Sequence, residues 1–367
     1  MGSNIIIHVS EVNVSPNSGM GRVEYYWKQA FEKAGFDFVH IGPDEVGPLK
    51  HPALFPFKAY QYYRKLKITP LAFIVHEPAG GFFVKRGIPC LIESHGVERR
   101  YWDAQLDGSV PPATNKPISL KTKLLLPLWR FYGCDKGLKY ADKLLLINSE
   151  DKAYVKKRYL RDEEDIFIFK NGATAVPESS PNNDRDSTFT ILFNGNWLDR
   201  KGINVLIASA KALLESGVTN VHYLLIGTGK DAETVLSDWP AKLRPFVKVI
   251  NRFNAKDESD FLSTASLFVL PSYFEGQPLS LLQAMAAGKC CITTNCCGQK
   301  DIIDNGDTGL LFEPGDHKEL AALIGKCYHD RALLKNIGAN AREYTKNITW
   351  DKVSGQVAEF VLASVKK

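Results

Sequence analysis

Residues 267 to 288 carry the pattern that most restricts the fold. Leu267-Phe268-Val269-Leu270 is a continuous apolar run, the mark of a strand buried on both faces, as in a parallel sheet covered by helices. The run stops at Pro271-Ser272-Tyr273-Phe274-Glu275-Gly276-Gln277, and a short helical pattern through Met285 follows at once. Pro278 suits the first helical position and Gly288 the residue after the last. This is one strand, turn and helix of an open α/β sheet, and such sheets bind ligands at the carboxyl ends of their strands. The unpaired N–H groups of Leu279 and Ser280, at the positive pole of the helix, suit a diphosphate. Glu275 would then hang beside whatever the diphosphate carries, as in a nucleotide-sugar donor. Taken alone, the turn fits equally well a plain strand-to-helix connection in which Glu275 merely favours the helix dipole.

A chain of 367 residues, 44% of them hydrophobic, suffices for two domains with separate cores. No apolar stretch approaches the about 20 residues needed to cross a bilayer. The N-terminus passes directly into the strand-like Asn4-Ile5-Ile6-Ile7-His8-Val9 with no charged leader, so the expected location is cytoplasmic. Four of the seven cysteines crowd into Cys290, Cys291, Cys296 and Cys297. Structural zinc wants paired Cys-x2-4-Cys, and adjacent residues of a strand face opposite ways, so these read as buried reduced thiols and no metal is expected.

The formal net charge is +5, and residues 1 to 180 supply it, with 25 Lys and Arg against 20 Asp and Glu; the remainder has 21 of each. Arg64-Lys65-Leu66-Lys67 follows the aromatic run Phe55 to Tyr63, and Lys121, Lys123 and Arg130 flank Leu124-Leu125-Leu126-Pro127-Leu128-Trp129. Basic and aromatic residues together suit a membrane surface, but a solvated face over ordinary core residues is the commoner case. A charge of +5 over this length is no footprint for nucleic acid.

Strand patterns at Ile5 to Val9, Leu71 to His76, Pro89 to Glu93, Lys143 to Ile147 and Ile166 to Phe169 define a first α/β domain, 1–172. Its first strand leads into Ser15-Pro16-Asn17-Ser18-Gly19-Met20-Gly21 and then a helical pattern from Arg22 to Ala34, an order that brings backbone close to a ligand. Residues 173–188 cannot bury a core and read as a linker. Asp184-Arg185-Asp186 lies within it and is discounted as a metal-holding Asp-x-Asp string for that reason. A second domain, 189–349, has strands at Phe189 to Asn194, His222 to Ile226, Val247 to Ile250, Leu267 to Leu270 and Cys291 to Thr293, and a final helical segment covers 350–367.

Two further constellations bear on chemistry. Gly195-Asn196-Trp197-Leu198-Asp199-Arg200-Lys201-Gly202 places adjacent cations at the carboxyl end of the second domain's first strand, where Arg can fork onto phosphate oxygens and Lys adds a point charge. His95, beside Gly96 after a first-domain strand, is either structural or a hydrogen-bonding group for a substrate. Gly227-Thr228-Gly229 is a further tight turn at a strand end.

Together these residues resemble glycosyltransferase family 4, retaining enzymes of the GT-B fold, along nearly the whole chain. Gly195 to Gly202 looks like that family's Gly-x-x-x-x-x-Lys-Gly turn, and Pro271 to Gly288 looks like its Pro-Ser-x-x-Glu-Gly block. Gly298 to Pro314 is similar to its Gly-x-x-Glu-x-Ile segment, and Ser18 to Val23 and His95-Gly96 resemble its first-domain motifs. The resemblance implies two Rossmann-like parallel-sheet domains facing a deep interdomain cleft. It implies a C-terminal helix that crosses back onto the first domain, in which Trp350 would either anchor the hinge or serve as a plain packing tryptophan. It implies that Arg200, Lys201, Leu279, Ser280 and Gly19 serve the donor diphosphate, and Gln283, Arg252 and Phe253 the ribose and base. Gly276 and Gln277 would line the sugar, and His95 and Glu275 would be catalytic. The implied reaction moves a hexose-type sugar from a UDP- or GDP-sugar to a glycan or lipid-linked acceptor in bacterial envelope polysaccharide synthesis, without metal or other cofactor. Peripheral contact at the inner face of the cytoplasmic membrane would accompany it.

The chain departs from the family pattern at Gln283, where the family has Glu, and at Cys297-Gly298, where it has Gly-Gly; Asp301 replaces a further Glu. Gln283 accepts and donates but gives up the charge-assisted share of a hydrogen bond, about 1 kcal/mol, which bears on donor affinity rather than chemistry. It also opens a rival reading, a catalytically silent homologue serving as partner or scaffold. A sugar-nucleotide epimerase is a second rival, for which no further acid and base residues stand out.

Overall fold

The computed structural model describes residues 4–17, 19–112, 118–176, 188–254 and 257–365. The chain folds into two compact units, one of Met1–Leu106, Ile118–Gly172 and Trp350–Lys367, the other of Asp107–Pro117 and Ala173–Thr349. Ser18, most of the expected linker and Asp184-Arg185-Asp186 lie outside the described residues.

In the first unit, β1 (Ile5–Val9), β2 (Asp37–Ile41), β3 (Ala72–His76), β4 (Cys90–Ser94), β5 (Lys143–Leu146) and β6 (Ile166–Ile168) form a parallel sheet in the order β2-β1-β3-β4-β5-β6. Strands β3 and β4 are buried along their whole length, which is why each opens on an apolar run, Ala72 to Val75 and Cys90 to Ile92, with the polar His76, Glu93 and Ser94 at the carboxyl ends. Ile7, Val9, Phe73, Val75, Ile92 and Leu144 lie in one core with Phe83. The first helix, α1 (Gly19–Lys33), starts three residues before the expected Arg22, because Val23, Trp27 and Phe31 bury a face strong enough to carry two glycines at its start.

The helices needed below are α2 (Phe55–Leu66), α3 (Leu120–Leu126) and α4 (Tyr132–Tyr140) in this unit, with a π-helical turn, Pro127–Phe131, between the last two. In the second unit they are α5 (Ile203–Glu215), α6 (Leu279–Ala286) and α7 (Cys297–Lys300). The final helix α8 (Trp350–Val365) is part of the first unit and packs on α1. There the Trp350 and Tyr26 rings stack at 4.5 Å and 8°, and a Cβ on Gly172 would lie 2.5 Å from the Trp350 ring.

In the second unit, β7 (Phe189–Asn194), β8 (Val221–Ile226), β9 (Val247–Ile250), β10 (Leu267–Leu270), β11 (Cys291–Thr294) and β12 (Leu310–Phe312) are again all parallel, ordered β12-β11-β10-β7-β8-β9. The chain winds outward from β7 through β8 to β9, then returns to lay β10 on the other side of β7. The connections leaving β7 and β10 therefore diverge at a switch point, where doubly wound sheets open a crevice. In the first unit the switch point falls between β1 and β3.

Two strands went unanticipated. Asp37-Phe38-Val39-His40-Ile41 mixes charge with apolar residues at a sheet edge, and β12 has only three residues. All seven cysteines are free and buried, as expected. Among the described residues no helix is long and apolar enough to cross a membrane.

Candidate functional site

Strand β7 ends at Asn194, and the connection that follows is tied to the neighbouring strand end. Gly195 N donates to Ile226 O (3.0 Å) and Trp197 N to Thr228 O (2.8 Å). The buried Trp197 indole donates to Asp238 Oδ2 at 2.7 Å. This fixes the origin of a single 3-10 turn, Asp199–Lys201, which puts Arg200 and Lys201 at the carboxyl edge of the sheet.

The connection leaving β10 meets that turn backbone to backbone. Tyr273 N donates to Arg200 O (2.8 Å), and the Arg200 guanidinium Nη1 donates to Phe274 O (3.3 Å). Gly202, at φ +71°, seals the joint, since a Cβ there would sit 1.8 Å from Pro271 O. So placed, Lys201 Nζ lies 2.5 Å from Glu275 Oε1, and Arg200 Nη1 lies 3.7 Å from the same oxygen. Burial pushes the Glu275 carboxyl up, but Lys201 and then Arg200 outweigh it, and the group is held below the usual carboxylate range. Glu275 is therefore ionised at neutral pH, with two cations against one carboxylate.

Helix α6 begins one residue later than expected, with Pro278 as its N-cap in extended backbone and Leu279 as its first residue. Leu281 and Leu282 N–H groups already bond Pro278 O. Leu281 to Ala286 are all buried, whereas Leu279 and Ser280 at the N-terminus are partly exposed. Gln283 is buried in the same helix, as are Gln277 and Glu275 in the connection before it. A third segment braces that connection: a Cβ on Gly298 in α7 would lie 1.9 Å from Gly276 O. Here Cys297 stands in left-handed backbone at φ 52°, where the resembled pattern has glycine.

Sequence reading missed the polar supports of this loop. Thr294 Oγ1 donates to Ser272 O (2.5 Å), Thr293 Oγ1 to Leu270 O (2.8 Å), and the buried Gln299 Nε2 to Thr294 Oγ1 (2.8 Å). Two threonines closing an otherwise apolar strand were the available signal. Of the residues expected near the base, Phe253 packs edge-on against Phe261 at 5.7 Å, and its Cε1 would be 3.2 Å from a Cβ on Gly227. Arg252 beside it is exposed.

Gly19 and His95 belong to the first unit. Gly19 opens α1, with no atom within 4 Å of where a Cβ would stand. His95 follows β4, in a turn held by Glu77, which accepts from Ser94 Oγ (2.7 Å) and Glu98 N (3.2 Å). Burial lowers the His95 pKa despite Glu93, so the imidazole is neutral, and its buried Nε2 bonds no group among the described residues. Phe169 and Trp27 flank the ring.

Beneath this edge lies a charged cluster that the sequence did not reveal. His8 Nε2 donates to Glu93 Oε1 (2.9 Å), both side chains fully buried, and His40 Nε2 donates to Val12 O (3.1 Å). With both outer nitrogens donating, the 2.9 Å contact between His8 Nδ1 and His40 Nδ1 needs one further proton. It belongs to His8: burial would lower its pKa, but Glu93 outweighs burial and raises it, whereas burial drops His40 to about 3. Glu24 completes a trio with His8 and His40 whose ligand-type atoms lie within 4.8 Å of one another.

Two doubly wound parallel sheets with this strand order define a GT-B fold. The chain superposes on sucrose-phosphate synthase from Thermosynechococcus elongatus with a TM-score of 0.77 over 98% of this chain and 99% of that one, at 18% identity. It superposes on Anabaena HepE, solved with UDP-glucose, with a TM-score of 0.69 over 98% and 99%, at 16% identity. Residues 177–344, within the stretch that forms most of the second unit, match the family model described as glycosyl transferases group 1. The capsular polysaccharide biosynthesis glycosyltransferase CapM of Staphylococcus aureus is 30% identical over 187 residues, 50% of this chain and 49% of that protein. The N,N'-diacetylbacillosaminyl-diphospho-undecaprenol alpha-1,3-N-acetylgalactosaminyltransferase of Campylobacter jejuni is 25% identical over 225 residues, 58% and 59% of the two chains. The chain thus spans about half the length of these relatives.

Proposed function

We propose that the chain is a retaining glycosyltransferase of family 4 that moves a hexose-type sugar from a UDP- or GDP-sugar to a glycan or lipid-linked acceptor in bacterial envelope polysaccharide synthesis. The observation that carries this reading is the cation pair Arg200 and Lys201 converging on ionised Glu275 at the switch point, next to the N-terminus of α6. Acceptors of the relatives support the choice of acceptor class, since the C. jejuni protein is named for a diphospho-undecaprenol glycan.

In this reading the donor's β-phosphate takes the cations and the N–H groups of Leu279 and Ser280. As the bond from C1 to the β-phosphate oxygen breaks, that charge is met by groups already in place, so the departure needs no metal ion. The acceptor hydroxyl bonds C1 from the face the diphosphate leaves, and its proton passes to the departing phosphate oxygen. Glu275, held ionised, faces the positive charge that develops on the sugar ring, with Gly276 and Gln277 lining the ring and neutral His95 hydrogen-bonding a sugar hydroxyl. Gln283, Arg252 and Phe253 serve the ribose and base, and Gly19 the diphosphate.

The test is a calorimetric panel of UDP, GDP, ADP and TDP in EDTA, on the wild type and Lys201→Ala. Binding of one nucleotide, lost in the variant, is expected. No binding by any of the four would sink the reading.

A further inference from the structure

The first unit carries a surface for which water is a poor solvent. From Ser119 to Tyr132 the chain reads Ser-Leu-Lys-Thr-Lys-Leu-Leu-Leu-Pro-Leu-Trp-Arg-Phe-Tyr, and six large apolar side chains in it stand outward. Leu128 is 77% exposed, Leu120 73%, Tyr132 65%, Trp129 and Leu124 61%, and Leu125 51%. At helical spacing, Leu120, Leu124 and Leu128 form one row, and Leu125, Trp129 and Tyr132 the row beside it. The inward side is narrow: Phe131 packs with Trp102 and Cys134, and Leu126 and Ile118 lean on them. An ordinary surface helix buries its apolar stripe and shows its polar one; here the broad apolar face is the outer one. Pro127 contributes, because it has no N–H to close an α-helical bond to Lys123, and the chain widens into the π-helical turn that holds Leu128 and Trp129.

Behind this row is a hollow of about 400 Å³ between α2, the start of α4 and the segment after β3, lined by Phe57, Phe82, Pro78, Leu128, Trp129 and Tyr132. Arg86 and Lys136 stand at the same hollow. The two stretches of chain that form this face carry charge of one sign. Neither 119–132 nor 55–67 contains an acidic residue, while the two stretches hold Lys121, Lys123, Arg130, Lys58, Arg64, Lys65 and Lys67. Arg130 is taken up by Glu11 and Glu98, at 2.8 and 2.5 Å, but Lys121, Lys123 and Lys58 are exposed.

Leucine and tryptophan rows flanked by lysine match an interface that is apolar inside and anionic at its rim. We propose that this face docks on an anionic lipid bilayer, with Leu120, Leu124, Leu128 and Trp129 entering the boundary between headgroups and hydrocarbon. Lys121 and Lys123 meet the lipid phosphates, and the hollow takes up a hydrocarbon chain from the same surface. Such helices sit about 5–10 Å deep, where tryptophan is at home. The inference stands apart from the transferase reading, because none of these residues belongs to the nucleotide site.

The test is co-sedimentation of the full chain with phosphatidylcholine vesicles, with and without phosphatidylglycerol. Binding is expected only to the anionic vesicles and should fall with salt. Lys121→Gln with Lys123→Gln should weaken it by about fivefold for each charge removed. Leu124→Ser, Leu128→Ser and Trp129→Ser together should abolish it while UDP calorimetry stays as in the wild type. In case that triple variant fails to fold, brominated lipid should quench a tryptophan signal in the wild type that is missing in Trp129→Phe. Wild type left in the supernatant with anionic vesicles overturns the proposal, as does a Trp129 signal indifferent to brominated lipid. A dimer in vesicle-free buffer that the triple variant dissolves would assign the face to a second copy instead.

Discussion

Lys201 Nζ and Glu275 Oε1 stand 2.5 Å apart although they come from connections that leave different strands, β7 and β10, of one sheet. Neither side chain brings the other in. The backbone bond from Tyr273 N to Arg200 O and the close approach of Gly202 to Pro271 O join the connections first, and the ion pair is a consequence. A buried pair adds little net stability once desolvation is counted, so its retention at a strand-end crevice points to use rather than to folding.

Replacing one partner at a time separates the two roles. Lys201→Ala leaves Glu275 buried with only Arg200, 3.7 Å away, so it should cost about 2–4 kcal/mol of stability and at least about a hundredfold in diphosphate affinity. Glu275→Gln removes the charge that needed pairing. Nucleotide affinity should stay within about threefold, while sugar transfer falls by at least about a hundredfold. Steady-state kinetics beside calorimetry checks both, and equal loss of binding in the two variants would count against a catalytic Glu275.

Gly202→Ala tests whether the backbone joint positions the cations. The new methyl would lie 1.8 Å from Pro271 O at φ +71°, so the two connections must part. Destabilisation of at least about 2 kcal/mol and loss of nucleotide binding are expected. Gly217→Ala is the matched control: φ is +87° but no atom lies within 4 Å, so only the left-handed backbone cost of about 1 kcal/mol should appear, with nucleotide binding intact. Thermal melts and calorimetry on both read the difference.

What the sequence showed and hid follows from where the information sits. Strand β10 and helix α6 were legible because burial on both faces writes itself as Leu267 to Leu270 and the helix ends are marked by Pro278 and Gly288. Arg200, Lys201 and Glu275 were legible for the same reason, each lying just beyond such a strand. Strand β2 was not, since His40 and Asp37 interrupt its pattern, and β12 is too short to show a period. The cluster of His8, Glu24, His40 and Glu93 was hidden more deeply. Its members are scattered over β1, α1, β2 and β4, and only the parallel register that sets His8 opposite His40 brings them together.

That cluster makes stability depend on pH in a stated direction. His8 is raised from its ordinary value, and burial raises Glu24 to about 8, so the folded state binds more protons at both sites than the unfolded chain. Stability from His8 is full below about pH 6.5 and is lost as pH rises through its folded value; that from Glu24 falls from pH 4.5 up to about 8. His40 and His76, both lowered to about 3, act oppositely but only below pH 6.5, and Glu93, held at about 2, only below 4.5. Between pH 6.5 and 8, urea melts should therefore show stability falling, by about 1.4 kcal/mol per pH unit for each group that differs by a full proton. Glu24→Gln should flatten that slope. An unchanged slope in the variant would show that Glu24 titrates alike in both states.

Gln283→Glu asks what the neutral side chain costs the donor. If Gln283 meets the ribose hydroxyls, a carboxylate there restores a charge-assisted hydrogen bond, about 1 kcal/mol, or about fivefold in nucleotide affinity. Because the ribose is bound alike in ground and transition states, turnover at saturating donor should not change. Gln283 is 5% exposed, so a carboxylate in the empty site is desolvated and any gain must come from the ligand. The 2′-deoxynucleotide discriminates: with one hydroxyl gone, the gain should shrink, whereas a general electrostatic effect of the new charge would weaken the anionic diphosphate equally with both sugars. Calorimetric titration of the two nucleotides against both proteins reads this directly, and equal weakening of both would remove Gln283 from the ribose site.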